Sequence, residues 1–116
     1  MLPGRTLLVA LLLSLSLGSV PAHAATVEIV MANLGFSKAE AAAKVGDTVV
    51  WVNKDIFAHT ATAKNGDWKV VVQPGKSESI VLKKAGVVDY YCEYHPNMTA
   101  KLVVAAPVKK APAKKP

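Results

Sequence analysis

A single cysteine, Cys92, occurs in the 116 residues, so no disulfide within the chain can supplement a small core. Aromatic residues are few, 6% of the total, and no basic patch is interleaved with them, which disfavours nucleic acid as a partner. No internal repeat is visible. An uninterrupted membrane span is missing too: one needs about 20 apolar residues, whereas the N-terminal stretch Thr6 to Leu17 contains Ser14 and Ser16 and runs into Gly18, Ser19 and Pro21. That stretch reads better as a leader. Arg5 gives it a positive start, the apolar run a middle, and Ala22-His23-Ala24 the small residues at which a signal peptidase cuts. Residues 1–24 are expected to be a signal peptide. The mature chain would then begin near Ala25, in the periplasm, with no stable membrane insertion after cleavage.

Beyond the leader lie about 90 residues, enough for one domain with one core. Export places the lone thiol where paired cysteines oxidise. A free Cys92 there invites oxidation or pairing between molecules, so it is either buried and inert or held as a metal thiolate.

The surroundings of Cys92 favour the metal. The stretch Tyr90-Tyr91-Cys92-Glu93-Tyr94-His95-Pro96-Asn97-Met98 sets a thiolate, an imidazole and a thioether at a spacing of three. This donor set suits copper better than calcium, magnesium or manganese, which prefer oxygen. A second imidazole is needed, and His59 supplies it, because His23 falls in the leader. Two histidines, a cysteine and a weak axial methionine make a blue-copper electron-transfer site.

These residues resemble the cupredoxins. The Cys92-x-x-His95-x-x-Met98 spacing, with Pro96 after His95, is similar to the copper loop of the amicyanins, a short-loop branch related to plastocyanin and pseudoazurin. Upstream, Val45-Gly46-Asp47-Thr48-Val49-Val50-Trp51-Val52-Asn53, with His59 following, is similar to the segment that brings the family's first ligand. The resemblance runs from about Val27 to Val104. One departure is Lys38, where the family usually has a proline shortly after the phenylalanine matching Phe36. The resemblance implies one type 1 copper per chain, a hydrogen bond from Asn53 toward the ligand loop, and a backbone N–H of Thr60 reaching the Cys92 sulfur. It also implies redox-protein partners: a quinoprotein amine dehydrogenase as donor and a c-type cytochrome as acceptor.

The patterning of residues 25–105 agrees with an all-β fold. Thr26 to Ala32, Thr48 to Asn53, Trp68 to Val72, Ser77 to Leu82, Val87 to Cys92 and Ala100 to Val104 are apolar or alternating runs bounded by turn signals. Asn33-Leu34-Gly35 and Gly46-Asp47 read as turns. Lys64-Asn65-Gly66-Asp67 reads as a hairpin, because Asn-Gly tolerates the positive φ angles of a tight two-residue turn. A cupredoxin-like Greek-key β-sandwich of seven to eight strands is expected. Ala39 to Lys44 is the one place where alanines favour a helical turn instead. Trp51 and Trp68 read as core, and Ile56-Phe57-Ala58 as either core or part of an exposed apolar patch beside the copper.

Residues 106–116 are lysine, proline, alanine and one valine, a composition expected to stay disordered. Four of the 14 basic residues lie there, so the basic pI belongs to the tail rather than to the domain. Such a tail either steers encounter with an acidic partner or an anionic membrane, or only keeps the protein soluble. Three functions are weighed. A monomeric periplasmic electron carrier, not an enzyme, leads. Copper storage or delivery is the alternative, against which a closed four-ligand site argues. A small oxidase would need an open coordination position, and none is evident.

Overall fold

A computed structural model describes Gly4 and residues 24–107. The expected leader, apart from its last residue and Gly4, and the tail beyond Pro107 lie outside the described residues. Among the described residues nine strands occur in chain order: β1 (Thr26–Ala32), β2 (Gly35–Phe36), β3 (Glu40–Lys44), β4 (Thr48–Asn53), β5 (His59–Ala63), β6 (Lys69–Val72), β7 (Ser77–Val81), β8 (Gly86–Tyr91) and β9 (Thr99–Ala105). They form two sheets, ordered β2-β1-β4-β7 and β3-β9-β8-β5-β6.

The two sheets face each other across one core, and strand alternation fills it. Along β4, Val49 and Trp51 point inward while Thr48, Val50 and Val52 are half-buried. Ile29 and Met31 of β1 join them, facing Val72, Val88, Tyr90, Leu102 and Val104 of the other sheet. The period of two places Asn53 on that same inward face, at the end of the strand, so a polar side chain is carried into the interior. Trp51 packs on Trp68 at 5.2 Å and edge-on to Tyr90 at 5.7 Å between ring centroids. Trp51 is wholly buried, whereas one side of Trp68 reaches the surface. Burial pushes the Tyr90 phenol up to about 12, so it stays protonated at any physiological pH.

The count exceeds the expected seven to eight, and β2, β3 and β5 match none of the runs read from the sequence. β2 is a two-residue pairing with β1. β3 is the alanine stretch in which a helical turn competes. It is a strand because Glu40 to Lys44 lie parallel to Lys101 to Ala105 of β9, with Ala41 buried. Sheet pairing and burial outweigh the small helical preference of alanine.

Two turns also differ from expectation. The tight two-residue turn with positive φ at both positions is Asn33-Leu34, at 53° and 57°. At Asn65-Gly66 only the glycine is positive, at 83°. There the hairpin closes between Ala63 and Trp68 at 2.9 Å, and the Asn65 side chain accepts the Asp67 N–H at 2.9 Å. Leucine is costly in the left-handed region, so something must hold Leu34 there.

Candidate metal centre

That holder is Asp55. Its carboxylate accepts the Asn33 N–H at 2.7 Å and the Leu34 N–H at 3.0 Å, fixing the β1–β2 turn. The same Oδ2 lies 2.8 Å from Nε2 of His59. An ionised carboxylate only accepts, so the His59 proton sits on Nε2 and the Nδ1 lone pair is free to face the interior. Burial alone would push the Asp55 carboxyl up, but the Leu34 and Asn33 N–H groups and the His59 ring outweigh it and hold the group below its usual range. Nothing in the sequence marks Asp55. An acid four residues before a histidine in a loop is common, and only the fold shows that the β1–β2 turn comes to meet it.

Nδ1 of His59 is 3.7 Å from the Cys92 sulfur, and Nδ1 of His95 is 3.8 Å from it. These spacings are long for direct hydrogen bonds. They match two donors sharing a metal: bonds of about 2.3 Å to thiolate and about 2.0 Å to imidazole, opened to a trigonal angle, put sulfur and nitrogen roughly 3.7 Å apart. The donor atoms of His59, Cys92 and His95 all lie within 4.8 Å of one another. Soft sulfur with two imidazoles is a copper-type set. His59 and Cys92 are fully buried, whereas His95 is half-buried.

Two connections meet to build this group. His59 opens β5, immediately after the loop that leaves β4. Asn53 anchors that loop: its Nδ2 donates to the carbonyls of Phe57 at 2.7 Å and Val72 at 3.0 Å, and its Oδ1 accepts the Asp55 N–H at 2.9 Å. The expected bond from Asn53 toward the Cys92–Met98 loop is therefore corrected. Its side chain is spent on the His59 loop and on the end of β6, because the inward face of β4 aims it there.

The second connection runs from β8 to β9 and is closed by its own backbone. Cys92 N–H donates to Met98 O at 2.9 Å, and Met98 N–H to His95 O at 2.8 Å. Thr60 joins the two connections. Its N–H donates to the Cys92 sulfur at 3.3 Å, and its hydroxyl accepts the Glu93 N–H at 2.8 Å. Met98 is buried at the root of the loop, and Pro96 is exposed at its turn.

Apolar side chains are exposed on both ligand loops. Ile56 is 83% exposed, Phe57 52% and Tyr94 54%, and the Phe57 ring lies 6.0 Å from the His95 ring. Phe57 is thus a surface residue and not core.

The comparisons agree with this geometry. A cupredoxin-like domain family matches residues 5–104. The amicyanin of Paracoccus versutus is 31% identical over 91 residues, 73% of this chain and 67% of that protein. Amicyanin-alpha of Methylorubrum extorquens is 32% identical, over 72% of this chain and 75% of its own length. The amicyanin of Paracoccus denitrificans is 31% identical over 80 residues, and this chain spans 61% of its length. Among solved structures, the Cu(I) form of an amicyanin variant superposes with a TM-score of 0.61 at 27% identity, covering 68% of this chain and 81% of that one. With His59, Cys92 and His95 gathered as a type 1 copper group on a two-sheet sandwich, the chain belongs to the cupredoxin-like family and is amicyanin-like.

Proposed function

We propose that the protein is a periplasmic electron carrier with one type 1 copper, which His59, Cys92, His95 and Met98 would hold. The observation that carries this is the convergence of three soft and borderline donors at a site where one histidine, His95, reaches the surface and the other two donors do not. When bound, copper supplies a one-electron Cu(II)/Cu(I) couple. The chain's own residues supply the rest. Asp55 fixes the tautomer and direction of His59, Thr60 gives the thiolate one N–H, and Asn53 and Pro96 shape the two connections. These supports limit rearrangement between oxidation states.

The buried thiolate and the clamped histidine favour a carrier over storage or delivery, since a buried, closed donor set held in place by Asp55 and Thr60 opposes easy release. The exposed Phe57 beside the His95 ring, with the exposed Ile56 and Tyr94 next in the chain to these two, suits docking of a redox protein. A quinoprotein dehydrogenase as donor and a c-type cytochrome as acceptor, met by a monomer, complete the reading. The test is spectroscopic. The Cu(II) protein is expected to be intensely blue with narrow hyperfine splitting, and Cys92→Ser to abolish both. Met98→Gln should keep copper and lower the potential, because an oxygen donor favours Cu(II). An unchanged potential would place Met98 outside the coordination sphere. Cell fractionation and the mass of the exported protein test location and leader.

A further inference from the structure

The copper ligands occupy one end of the sandwich: His59 opens β5, and Cys92, His95 and Met98 lie between the end of β8 and the start of β9. β6 and β7 are edge strands of different sheets, so the seam between the sheets runs between them. At the metal end the β6–β7 turn crosses that seam and is tied to the end of β4, where Asn53 N–H donates to Lys76 O at 2.9 Å and Gly75 N–H to Asn53 O at 3.0 Å. Toward the other end the seam opens into a groove of about 360 Å³. Both sheets floor it, with Ile80 and Leu82 at and just beyond the end of β7, Val88 of β8 and Val104 of β9.

Trp68, the residue before β6, forms one wall. Trp51 and Tyr90 hold its ring from the core side, at 5.2 and 5.3 Å between centroids, yet it is only half-buried, so a fixed aromatic surface is left to the groove. The rim carries two cations, Lys83 and Lys84, and one acid, Asp67. Asp67 is committed to its own turn, where it accepts the Asn65 amide at 3.0 Å, and its contact with Lys84 is loose at 3.4 Å. Lys83 pairs with no acid among the described residues. We propose that this groove is a binding site for a small aromatic carboxylate, its ring against Trp68 and its acid group taken by Lys83 and Lys84.

Size and lining decide the class. Small-molecule sites span about 300–1,000 Å³ and combine an apolar lining with a few placed polar groups, so this groove, at the small end, takes one ring with a short acid arm. The floor has no polar side chain to pair with a polar ligand body. A ring also gains from Trp68 beyond the area it buries, through offset or edge-on contact. Two lysines against one occupied aspartate select an anion over a cation, and their flexible stems lie along the apolar wall while the ammonium groups reach the carboxylate. The groove shares no residue with the copper ligands and requires neither metal nor the carrier function.

The experiment follows amide and methyl NMR signals of the exported protein, both copper-free and with Cu(I), during titration with phenylacetate. Saturable shifts are expected at Trp68, Ile80, Leu82, Val88 and Val104 in both forms, with His59 and His95 unmoved. An exposed lysine–carboxylate pair is worth up to about five-fold in affinity, and a packed ring about two- to ten-fold beyond its area. Phenylacetamide, which lacks the charge, and hexanoate, which lacks the ring, should therefore each bind several-fold more weakly, and benzylamine, which reverses the charge, more weakly still. Lys83→Gln with Lys84→Gln should weaken phenylacetate by about five- to twenty-fold, the product of two such pairs, and leave phenylacetamide unchanged. Trp68→Leu should erase the advantage of phenylacetate over hexanoate. Asp67→Asn, which releases Lys84, should strengthen phenylacetate a few-fold. Lys54→Gln with Lys76→Gln makes the same charge change at the metal end and should alter nothing. The absence of saturable shifts in the groove overturns the site. So does benzylamine binding as tightly as phenylacetate, or an equal loss from both lysine pairs.

Discussion

Each end of the sandwich has an aspartate that gathers donors, and the two do the same mechanical work. Asp47, at the end away from the metal, accepts the Ala25 and Lys44 N–H groups and the Lys44 ammonium at 2.8 Å. Asp55, at the metal end, accepts two turn N–H groups and the ring of His59. Both tie a turn to a distant strand. They differ in the third donor, a surface lysine in one case and a metal-binding histidine in the other. A fold thus reuses one device, and its coupling to chemistry depends on which side chain completes it.

Substitution should separate the two. Asp55→Ala leaves three donors unpaired and Leu34 unsupported in the left-handed region. A stability loss on the order of 3 kcal/mol is expected, together with a loss of copper affinity of about 10- to 100-fold, the usual cost of losing a partner behind a metal-bound histidine. Denaturation of the copper-free protein and competition for copper measure the two effects independently. If affinity is unchanged, the comparison breaks, because Asp55 would be as purely structural as Asp47.

Asn53→Ala should come next, costing about 1–3 kcal/mol through the two carbonyls and one N–H left unpaired. Because it holds the His59 loop, the blue band should broaden without disappearing, which absorption spectra of the variant check.

Asp47→Ala is expected to lower the melting temperature of the copper-free protein and leave the blue spectrum and the potential unaltered. Its pH signature has a definite sign. The Lys44 ammonium and the Ala25 N–H hold the Asp47 carboxyl below its ordinary 3.8. A depressed carboxylate stabilises the fold above the unfolded value and loses that contribution as pH falls through the folded one. Melting temperature followed downward from pH 5 should therefore drop less steeply in Asp47→Asn than in the parent. Parallel curves would remove Asp47 from the acid response.

The smallest effect is expected from Thr60→Val. It keeps the N–H to the Cys92 sulfur and removes the hydroxyl, which accepts the Glu93 N–H at 2.8 Å and pairs with the Thr62 hydroxyl at 3.0 Å, together about 1–2 kcal/mol. The potential should hardly move. A large shift would show that the hydroxyl, not the backbone, sets the position of Cys92.

Legibility in the sequence depends on where information is local. Cys92, His95 and Met98 lie within one loop, so their spacing alone exposes them, and the apolar runs of β4 and β8 are written residue by residue. Asp55 and the direction of Asn53 are not local: each depends on a strand or turn far away in the chain coming to meet it. β3 is obscure for the same reason, since its alanines carry helical preference and only the register with β9 overrules it. The Asn65-Gly66 turn shows a finer limit. Its composition permits two positive φ angles, yet the four-residue closure uses one, while Asn33-Leu34 takes two because Asp55 is there to receive both N–H groups.

The parallel pairing of β3 with β9 also bears on the order of assembly. Glu40 meets Lys101 across most of the domain, and a contact of such sequence separation must close a long loop before it returns any stabilisation. The strand that closes it is the one entered directly from the Cys92–Met98 loop. Hairpins such as β5–β6 can form early, but the copper pocket waits for the final strand to insert. Slow, milliseconds-to-seconds folding typical of sandwiches then makes metal capture a late event, performed on a nearly finished fold rather than on a nucleus that the metal organises.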